Sequence, residues 1–216
     1  FCLSRGLGDV YKRQGRTLHL VWQAHTDTTS TLAFSPDERL LASGSWDGSL
    51  KLWDLERGTL SAVCGQGEQI VCGQGEQRGQ VTLLWERLTS NINCVAFAPD
   101  GSLLANGGDD ALIQIWNVTS ETLVQTLAGQ GGAVHAMAWS PDGKLLASSG
   151  FDGRIRVWEI ENSICLQILE AHTNWVTGLA FDPNGSSSSP GGGSRLASAS
   201  WDRTVRLWDM ASGRLL

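Results

Sequence analysis

The chain repeats a pattern in which a short apolar strand, a tight turn and a second apolar strand follow one another. The first copy, LLASGSWDGSLKLWD, spans residues 40–54, and the others span 103–117, 145–159 and 195–209. In each copy an Asp lies six residues before a Trp, and these Trp residues are 63, 42 and 50 residues apart. Four copies in register indicate one supersecondary unit used repeatedly.

A further short strand and turn precede each copy. The turn is Ser-Pro-Asp-Glu at 35–38, with related turns at 98–101, 140–143 and 182–185, and its Pro fixes φ where the turn needs it. Residues 154–158 alternate as a strand with two unlike faces does. No segment shows helical periodicity over ten residues, so the predicted class is all-β.

Two insertions interrupt the period. The longer one, at about 61–80, adds 21 residues and contains VCGQGEQ twice, which predicts either a surface excursion or an assembly error. It leaves two candidates for the last strand of this unit, 60–64 and 81–85, and counting back from Phe97 favours the second. The shorter one, SSSSPGGG at 186–193, is expected to widen a surface turn.

Residues 1–14 do not follow the pattern. The segment DVYKRQ is the translation of GATGTGTATAAGAGACAG, so 1–14 resemble translated adaptor from a transposon-based sequencing library. They are expected to be non-native and disordered, and are excluded from reasoning about the fold. Residues 17–22 read as the outer strand of a preceding unit, so 15–216 are expected to be a fragment of a longer repeat array.

Charge, hydropathy and cysteines narrow the functional classes. The formal net charge of −6 gives no basic footprint for nucleic acid, and no apolar run approaches the roughly 18 residues that cross a bilayer. The five Cys include no C-x-x-C pair. Cys94 and Cys165 fall in strand patterns and are expected to be buried thiols in a reducing compartment, which predicts a cytoplasmic protein.

With these features together, residues 17–216 resemble the WD-repeat β-propeller family. The base period of 42 residues fits the roughly 40–45 of a four-stranded blade. The resemblance implies an all-β partial propeller of about four blades, each of four antiparallel strands, with the ring incomplete. No cofactor is implied.

The resemblance also implies a structural polar network of a His before the first strand, a Ser or Thr on the second, the turn Asp and the final Trp. Leu88 and Asn106 depart from it in the second copy and Gln130 in the third, so the second blade is expected to be the loosest. Two Ser-His-Asp sets argue for architecture, because a hydrolase uses one exposed nucleophile beside an oxyanion hole. Lone His residues predict no metal site. The predicted network residues are His25, Ser43, Asp47, Trp53, Asp110, Trp116, Ser148, Asp152, Trp158, His172, Ser198, Asp202 and Trp208.

The position before each turn Asp suggests where a partner would bind. The resemblance places it, with residues flanking the first strand, on the face that partners contact. Its aromatics could anchor a partner or could cover the turn and pack on the next blade, and both interpretations stay open. The candidate partner-binding residues are Trp46, Asp109, His135, Phe151, Trp175 and Trp201.

The sequence therefore predicts a non-catalytic protein–protein interaction scaffold. Its partners are expected to be proteins rather than nucleic acid or membrane, and the open array is expected to self-associate. The alternative is a partner-binding sensor array of a larger signalling protein, an ATPase or a kinase, whose catalytic domain lies elsewhere.

Overall fold

The computed structural model describes residues 22–55, 82–184 and 195–216. Within these ranges every regular element is a β-strand, so the predicted all-β class is confirmed. Residues 1–14, the predicted strand up to residue 21, the candidate strand at 60–64 and both insertions lie outside the described residues. No helix in the described part of the chain is long and apolar enough to span a membrane.

The strands of the described residues form four antiparallel sheets, and each sheet takes its four strands in sequence order. The first sheet contains β1 (Thr29–Phe34), β2 (Leu40–Ser45), β3 (Ser49–Asp54) and β4 (Thr82–Leu88). The second contains β5 (Ile92–Phe97), β6 (Leu103–Gly108), β7 (Ile113–Asn117) and β8 (Thr122–Leu127). The third contains β9 (Val134–Trp139), β10 (Leu145–Gly150), β11 (Arg154–Glu159) and β12 (Ile164–Glu170). The fourth contains β13 (Val176–Phe181), β14 (Arg195–Ser200), β15 (Val205–Asp209) and β16 (Arg214–Leu215).

The last strand of the first sheet comes from the second of the two predicted candidates. β4 pairs antiparallel with β3, and Trp85 lies opposite Leu52. Leu83 lies opposite Trp53 as Leu123 lies opposite Trp116, but Leu83 is 14 residues before Phe97 whereas Leu123 is 16 before Trp139, so this connection is two residues shorter.

The tight turn between the second and third strands of each sheet needs one residue with left-handed backbone. Gly48 and Gly153 occupy that position in the first and third sheets, with φ of 80° and 72°. Ala111 and Arg203 occupy it in the second and fourth, with φ of 60° and 70°. The turn Asp caps each turn by accepting the backbone N–H two residues later, which holds this geometry even where glycine is absent.

Successive sheets pack face to face, so the core consists of apolar layers between neighbours. Leu50 and Leu52 meet the second sheet at Ile92 and Trp116. The next two layers repeat this arrangement, with an aliphatic pair on the third strand facing the Trp of the following sheet. Their aliphatic pairs and Trp residues are Ile113, Ile115 and Trp158, then Ile155, Val157 and Trp208.

The prediction that Cys94 and Cys165 are both buried is correct for Cys94 and wrong for Cys165. Cys94 is buried, and burial raises the pKa of its thiol to about 12, so it is an inert apolar side chain. Cys165 is exposed. It lies at the start of β12, the outer strand of the third sheet, where Ile164 and Leu166 on either side also face solvent. A strand pattern alone did not distinguish an outer strand from an inner one.

Candidate functional site

Each sheet carries a buried hydrogen bond from the Trp of its third strand to the middle of its second strand. Trp53 donates its indole N–H to Ser43 Oγ at 2.9 Å, and Trp208 donates to Ser198 Oγ at 2.9 Å. Trp158 donates to Ser148 Oγ at 2.7 Å. In the second sheet Asn106 Oδ1 accepts from Trp116 at 2.7 Å, so the Asn restores the acceptor that the missing Ser would supply. A buried indole N–H without a partner would cost stability, which explains an oxygen at this position in all four sheets.

The fourth sheet contains all four network residues in contact. His172 Nδ1 lies 2.7 Å from Asp202 Oδ2, and its Nε2 lies 2.8 Å from Ser198 Oγ. Asp202 also accepts the amide of Thr173 at 3.2 Å and the amide of Thr204 at 2.9 Å. These hydrogen bonds outweigh the opposing effect of burial and hold the pKa of Asp202 well below its usual range. The carboxylate thus ties the start of β13 to the turn before β15.

In the first sheet Ser49 lies between the network His25 and the turn Asp47. His25 Nε2 lies 2.6 Å from Ser43 Oγ, and its Nδ1 lies 2.8 Å from Ser49 Oγ and 3.4 Å from Asp47 Oδ2. Ser49 Oγ donates its proton to Asp47 Oδ1 and therefore accepts from His25 Nδ1–H, while Ser43 Oγ accepts from Trp53 and donates its own proton to His25 Nε2. This assignment describes a neutral ring. Burial lowers the pKa of His25 despite the nearby Asp47 carboxylate.

The third sheet replaces the histidine with a glutamine and an arginine. Gln130 donates its side-chain N–H to Ser148 Oγ, and Gln130 Oε1 accepts from Arg156 at 3.3 Å. Arg156 Nη2 lies 2.7 Å from Asp152 Oδ2, with side-chain exposures of 5% and 16%. Burial opposes ionisation of Asp152, but the Arg156 guanidinium and the Arg154 amide lower its pKa. The arginine therefore connects the Gln and the Asp, as histidine connects Ser and Asp in the fourth sheet.

The second sheet has the fewest network contacts. Leu88, at the histidine position, is 80% exposed. Asp110 Oδ1 accepts the Leu112 amide at 3.0 Å, while Asn106 contacts Gln114 at 3.4 Å. The prediction that this sheet is the loosest stays a prediction, because its apolar layers are as well buried as those of its neighbours.

Asp202→Ala is expected to lower the thermal midpoint more than Asp110→Ala. The first change removes the acceptor of two backbone amides and of His172, whereas the second removes the acceptor of the Leu112 amide. We expect a decrease of about 3–8 °C at Asp202 and under about 2 °C at Asp110, measured by calorimetry at pH 7. Equal decreases at the two sites would contradict a role for the histidine network in stability.

His25→Gln is expected to make the protein less sensitive to acid. The folded-state pKa of His25 lies below its ordinary value of 6.5, so the unfolded chain binds the additional proton as pH falls through that value. The contribution of His25 is therefore intact above about pH 7.5 and is lost as pH falls below about 6.5. Gln130 shows that glutamine can reach the equivalent serine. Urea midpoints at pH 8 and pH 5.5 should differ less in the variant than in the wild type, and an unchanged difference would contradict the neutral assignment.

The serines of the network are not placed for nucleophilic chemistry. Ser43 and Ser198 are each 1% exposed, and each accepts the indole N–H of a buried Trp. A hydrolytic serine needs access to substrate and an oxyanion hole beside it. Among the described residues, no group of three or more His, Cys, Asp or Glu side chains is placed to hold a metal ion.

Four of the six candidate partner-binding residues form a row on the upper face, the side that carries the turns between the second and third strands. Phe151 lies with its ring centroid 4.4 Å from that of His135 and 4.2 Å from that of Trp175. Trp175 in turn lies 4.9 Å from Trp201. We call these four residues the aromatic row. It crosses from the third sheet to the fourth, and its members touch one another while Phe151 remains 41% and Trp201 61% exposed.

The remaining two candidates lie on the first and second sheets. Trp46 occupies the equivalent turn of the first sheet and is 51% exposed. Asp109 occupies that of the second, where Asn91 Nδ2 donates to Oδ2 at 3.1 Å and Asn93 Nδ2 donates to Oδ1 at 2.9 Å. The two amides fix the orientation of an exposed carboxylate.

Four face-to-face antiparallel sheets, each fastened by a Trp–oxygen hydrogen bond, define the chain as part of a β-propeller. The family model described as "WD domain, G-beta repeat" matches residues 16–54, 82–117, 121–159 and 163–209. The chain belongs to this WD40 family.

Similar proteins share only part of their length with this chain. Protein HIR1 of Kluyveromyces lactis is 34% identical over 43% of the chain and 10% of that protein. The small ribosomal subunit protein RACK1y of Oryza sativa is 29% identical over 55% of the chain and 30% of that protein. The crystal structure of the RRP9 WD40 repeats superposes with a TM-score of 0.70 at 22% identity, covering 92% of this chain and 53% of that one. At this identity, the similarity to the RRP9 WD40 repeats shows a shared fold.

The sequence reasoning missed several members of the network. Ser49 and Thr204, two residues after the turn Asp, each donate a hydroxyl to it at 2.6 Å. The sequence pattern marks Gln130 as a departure from the network and Arg156 as an ordinary strand residue. One sequence signal could have revealed this pair. It is a polar residue at the histidine position combined with an arginine four residues after the turn Asp.

Proposed function

We propose that this part of the chain is a non-catalytic scaffold that binds a protein partner on its upper face. The observation that carries the proposal is the aromatic row, four rings in mutual contact on a rigid frame, of which Phe151 and Trp201 are exposed and His135 and Trp175 are half-buried. Large aromatic side chains bury much apolar area and lose little conformational entropy on contact, so they dominate interface energetics.

The relatives are consistent with a role in assemblies. RACK1y is by name a protein of the small ribosomal subunit. The chain spans 10% to 30% of the length of HIR1 and RACK1y, so the activity and partners of the whole protein are part of the proposal. We propose protein partners rather than nucleic acid or membrane, on the basis of the net charge of −6, and a cytoplasmic location, on the basis of five Cys residues without a C-x-x-C pair.

The mutual contacts within the row also allow the alternative that its rings serve packing. Phe151 and Trp175 come from neighbouring sheets, so their contact helps to join those sheets. Partner binding and packing predict different outcomes for stability, which makes them separable.

Phe151→Ala and Trp201→Ala are each expected to weaken capture of protein partners about ten-fold while changing the thermal midpoint by less than about 2 °C. Trp201 is the more informative residue because it is the more exposed. Partner capture from the source organism and calorimetry are measured on the same preparations, with Ile168→Ala on the outer strand β12 as the matched control. A midpoint that falls in step with partner capture would favour packing and remove the row as the site.

The alternative of a sensor array within a larger signalling protein stays a prediction. An ATPase or kinase domain would carry its own motifs outside the WD repeats. Recovery of the complete coding sequence distinguishes it from a stand-alone scaffold.

A further inference from the structure

The upper face combines three features that recognise a positive charge. An oriented carboxylate, a row of aromatic faces and a polar ring atom without a partner lie on adjacent sheets. Each has a separate structural origin.

The carboxylate belongs to Asp109. Its two oxygens each accept one amide N–H, from Asn91 and Asn93, and the side chain remains exposed. A carboxylate offers about four lone-pair sites, so both oxygens retain capacity for further donors. The two asparagines hold the group in one orientation, which lowers the entropic cost of binding a donor there.

The aromatic faces begin beside this carboxylate. A Cβ on Gly107, two residues before Asp109, would lie 2.8 Å from the Cβ of Val134, the residue before His135, so Asp109 follows a strand that packs closely against the start of the aromatic row. The charge of Asp109 also acts on the His135 ring. His135 contacts Phe151 at 4.4 Å and is stacked 6.2 Å from Trp175 with an interplanar angle of 6°. The faces of Phe and Trp attract a cation that lies over them.

The unpartnered atom is His135 Nε2. It is buried, and it has no hydrogen-bond partner among the described residues. Burial lowers the pKa of His135 more than the Asp109 charge raises it, so the ring is neutral at pH 7 and does not repel a cation. A buried polar atom of this kind is satisfied when a ligand supplies the missing group.

We infer that the Asp109 end of the aromatic row binds a positively charged side chain of the partner, with arginine the best fit. This inference rests on the proposed function of the upper face. A guanidinium is planar, stacks on aromatic faces and donates several N–H groups at once, so it can reach the carboxylate and the rings together. Lysine is a compact and strongly hydrated charge and fits less well. Arg203 lies two residues after Trp201 in the same turn, so that end of the aromatic row already carries a positive charge. The Asp109 end is therefore the end that binds a cation.

The test uses synthetic peptides of one design. Each is a short fluorescein-labelled glycine–serine peptide with repeated X residues, where X is Arg, Lys, citrulline or Glu. Citrulline keeps nearly the shape of arginine and removes its charge. Binding to the 216-residue chain is measured by fluorescence anisotropy. We expect the Arg peptide to bind at least about ten-fold more tightly than the citrulline and Glu peptides, with Lys between them.

Two matched pairs of variants locate the binding. Asp109→Asn and Phe151→Ala should each weaken the Arg peptide about ten-fold. Asp110→Asn makes the same change in net charge at the neighbouring exposed carboxylate, and Ile168→Ala removes an exposed apolar side chain from the outer strand β12, outside the aromatic row. Both controls should stay within about two-fold, because general electrostatic steering would affect the two aspartates alike.

Equal binding of Arg and citrulline peptides, or equal effects of Asp109→Asn and Asp110→Asn, would overturn the cation site. If partner capture is still lost in Phe151→Ala under those outcomes, the proposed function stands and only the chemistry assigned here fails. If Phe151→Ala leaves both peptide binding and partner capture intact, the two proposals fail together.

Discussion

Asp152→Ala is expected to lower the free energy of unfolding by about 2–3 kcal/mol, the largest effect among the four turn Asp residues. The change leaves the Arg156 guanidinium, only 5% exposed, without the carboxylate that lies 2.7 Å away. Gln130 stays within 3.3 Å but offers a neutral oxygen, which does not replace a charge. Urea denaturation of the chain at pH 7 measures the effect.

Two further variants separate the buried charge from the turn that Asp152 caps. Asp110→Ala removes the same cap in the second sheet without orphaning a cation, and should cost less than about 1 kcal/mol. Adding Arg156→Met to Asp152→Ala should restore part of the lost stability, because the unpaired guanidinium is then gone. A double variant less stable than Asp152→Ala alone would show that Arg156 stabilises by packing rather than through its ion pair.

The strand plan was predictable because its determinants are local. The turn Asp acts on the amide two residues later, and the Trp and its oxygen acceptor lie across one hairpin, so fixed spacing reveals them. The same reasoning selected the segment that forms β4, although its count was two residues off, because Leu83 is 14 residues before Phe97 whereas the equivalent Leu123 is 16 before Trp139. A repeated unit makes each local rule testable several times within one chain.

The parts that were missed depend on contacts between distant residues. Gln130 and Arg156 are 26 residues apart and meet only when β11 lies beside the segment that enters β9. The spacing indicates that the third copy lacks the network histidine at Gln130. It does not reveal that Arg156 connects Gln130 to the turn Asp in place of that histidine. The aromatic row was predicted as a set of positions on one face, but the ring contacts across the third and fourth sheets follow from side-chain directions that the pattern does not contain.

The isolated chain is expected to self-associate through the two outer faces of its array. Val205 and Leu207 in β15 hold the register positions that Ile155 and Val157 hold in β11. The β11 residues are 0% and 1% exposed beneath the fourth sheet, whereas Val205 is 76% and Leu207 39% exposed. At the opposite end, Leu32 and Phe34 are 60% and 63% exposed on β1.

The outer face of the fourth sheet should fit the outer face of the first sheet. Within the chain, the aliphatic residues on the third strand of one sheet pack against the next sheet in the same way. A contact between the fourth sheet of one copy and the first sheet of another is therefore head-to-tail, and growth need not stop at a dimer. Light scattering after gel filtration over about 1–100 µM should show mass rising with concentration.

Val205→Lys should weaken this association at least about ten-fold, since burying a valine side chain is worth about 1.5–3 kcal/mol and a buried lysine charge opposes contact further. Because Val205 is largely exposed within one chain, the fold itself should tolerate the change. Ile168→Lys is the control, since Ile168 is 51% exposed on β12 of the third sheet and lies at neither end of the array. A wild-type chain that stays monomeric throughout, or equal behaviour of the two lysine variants, would show that the outer faces do not drive association.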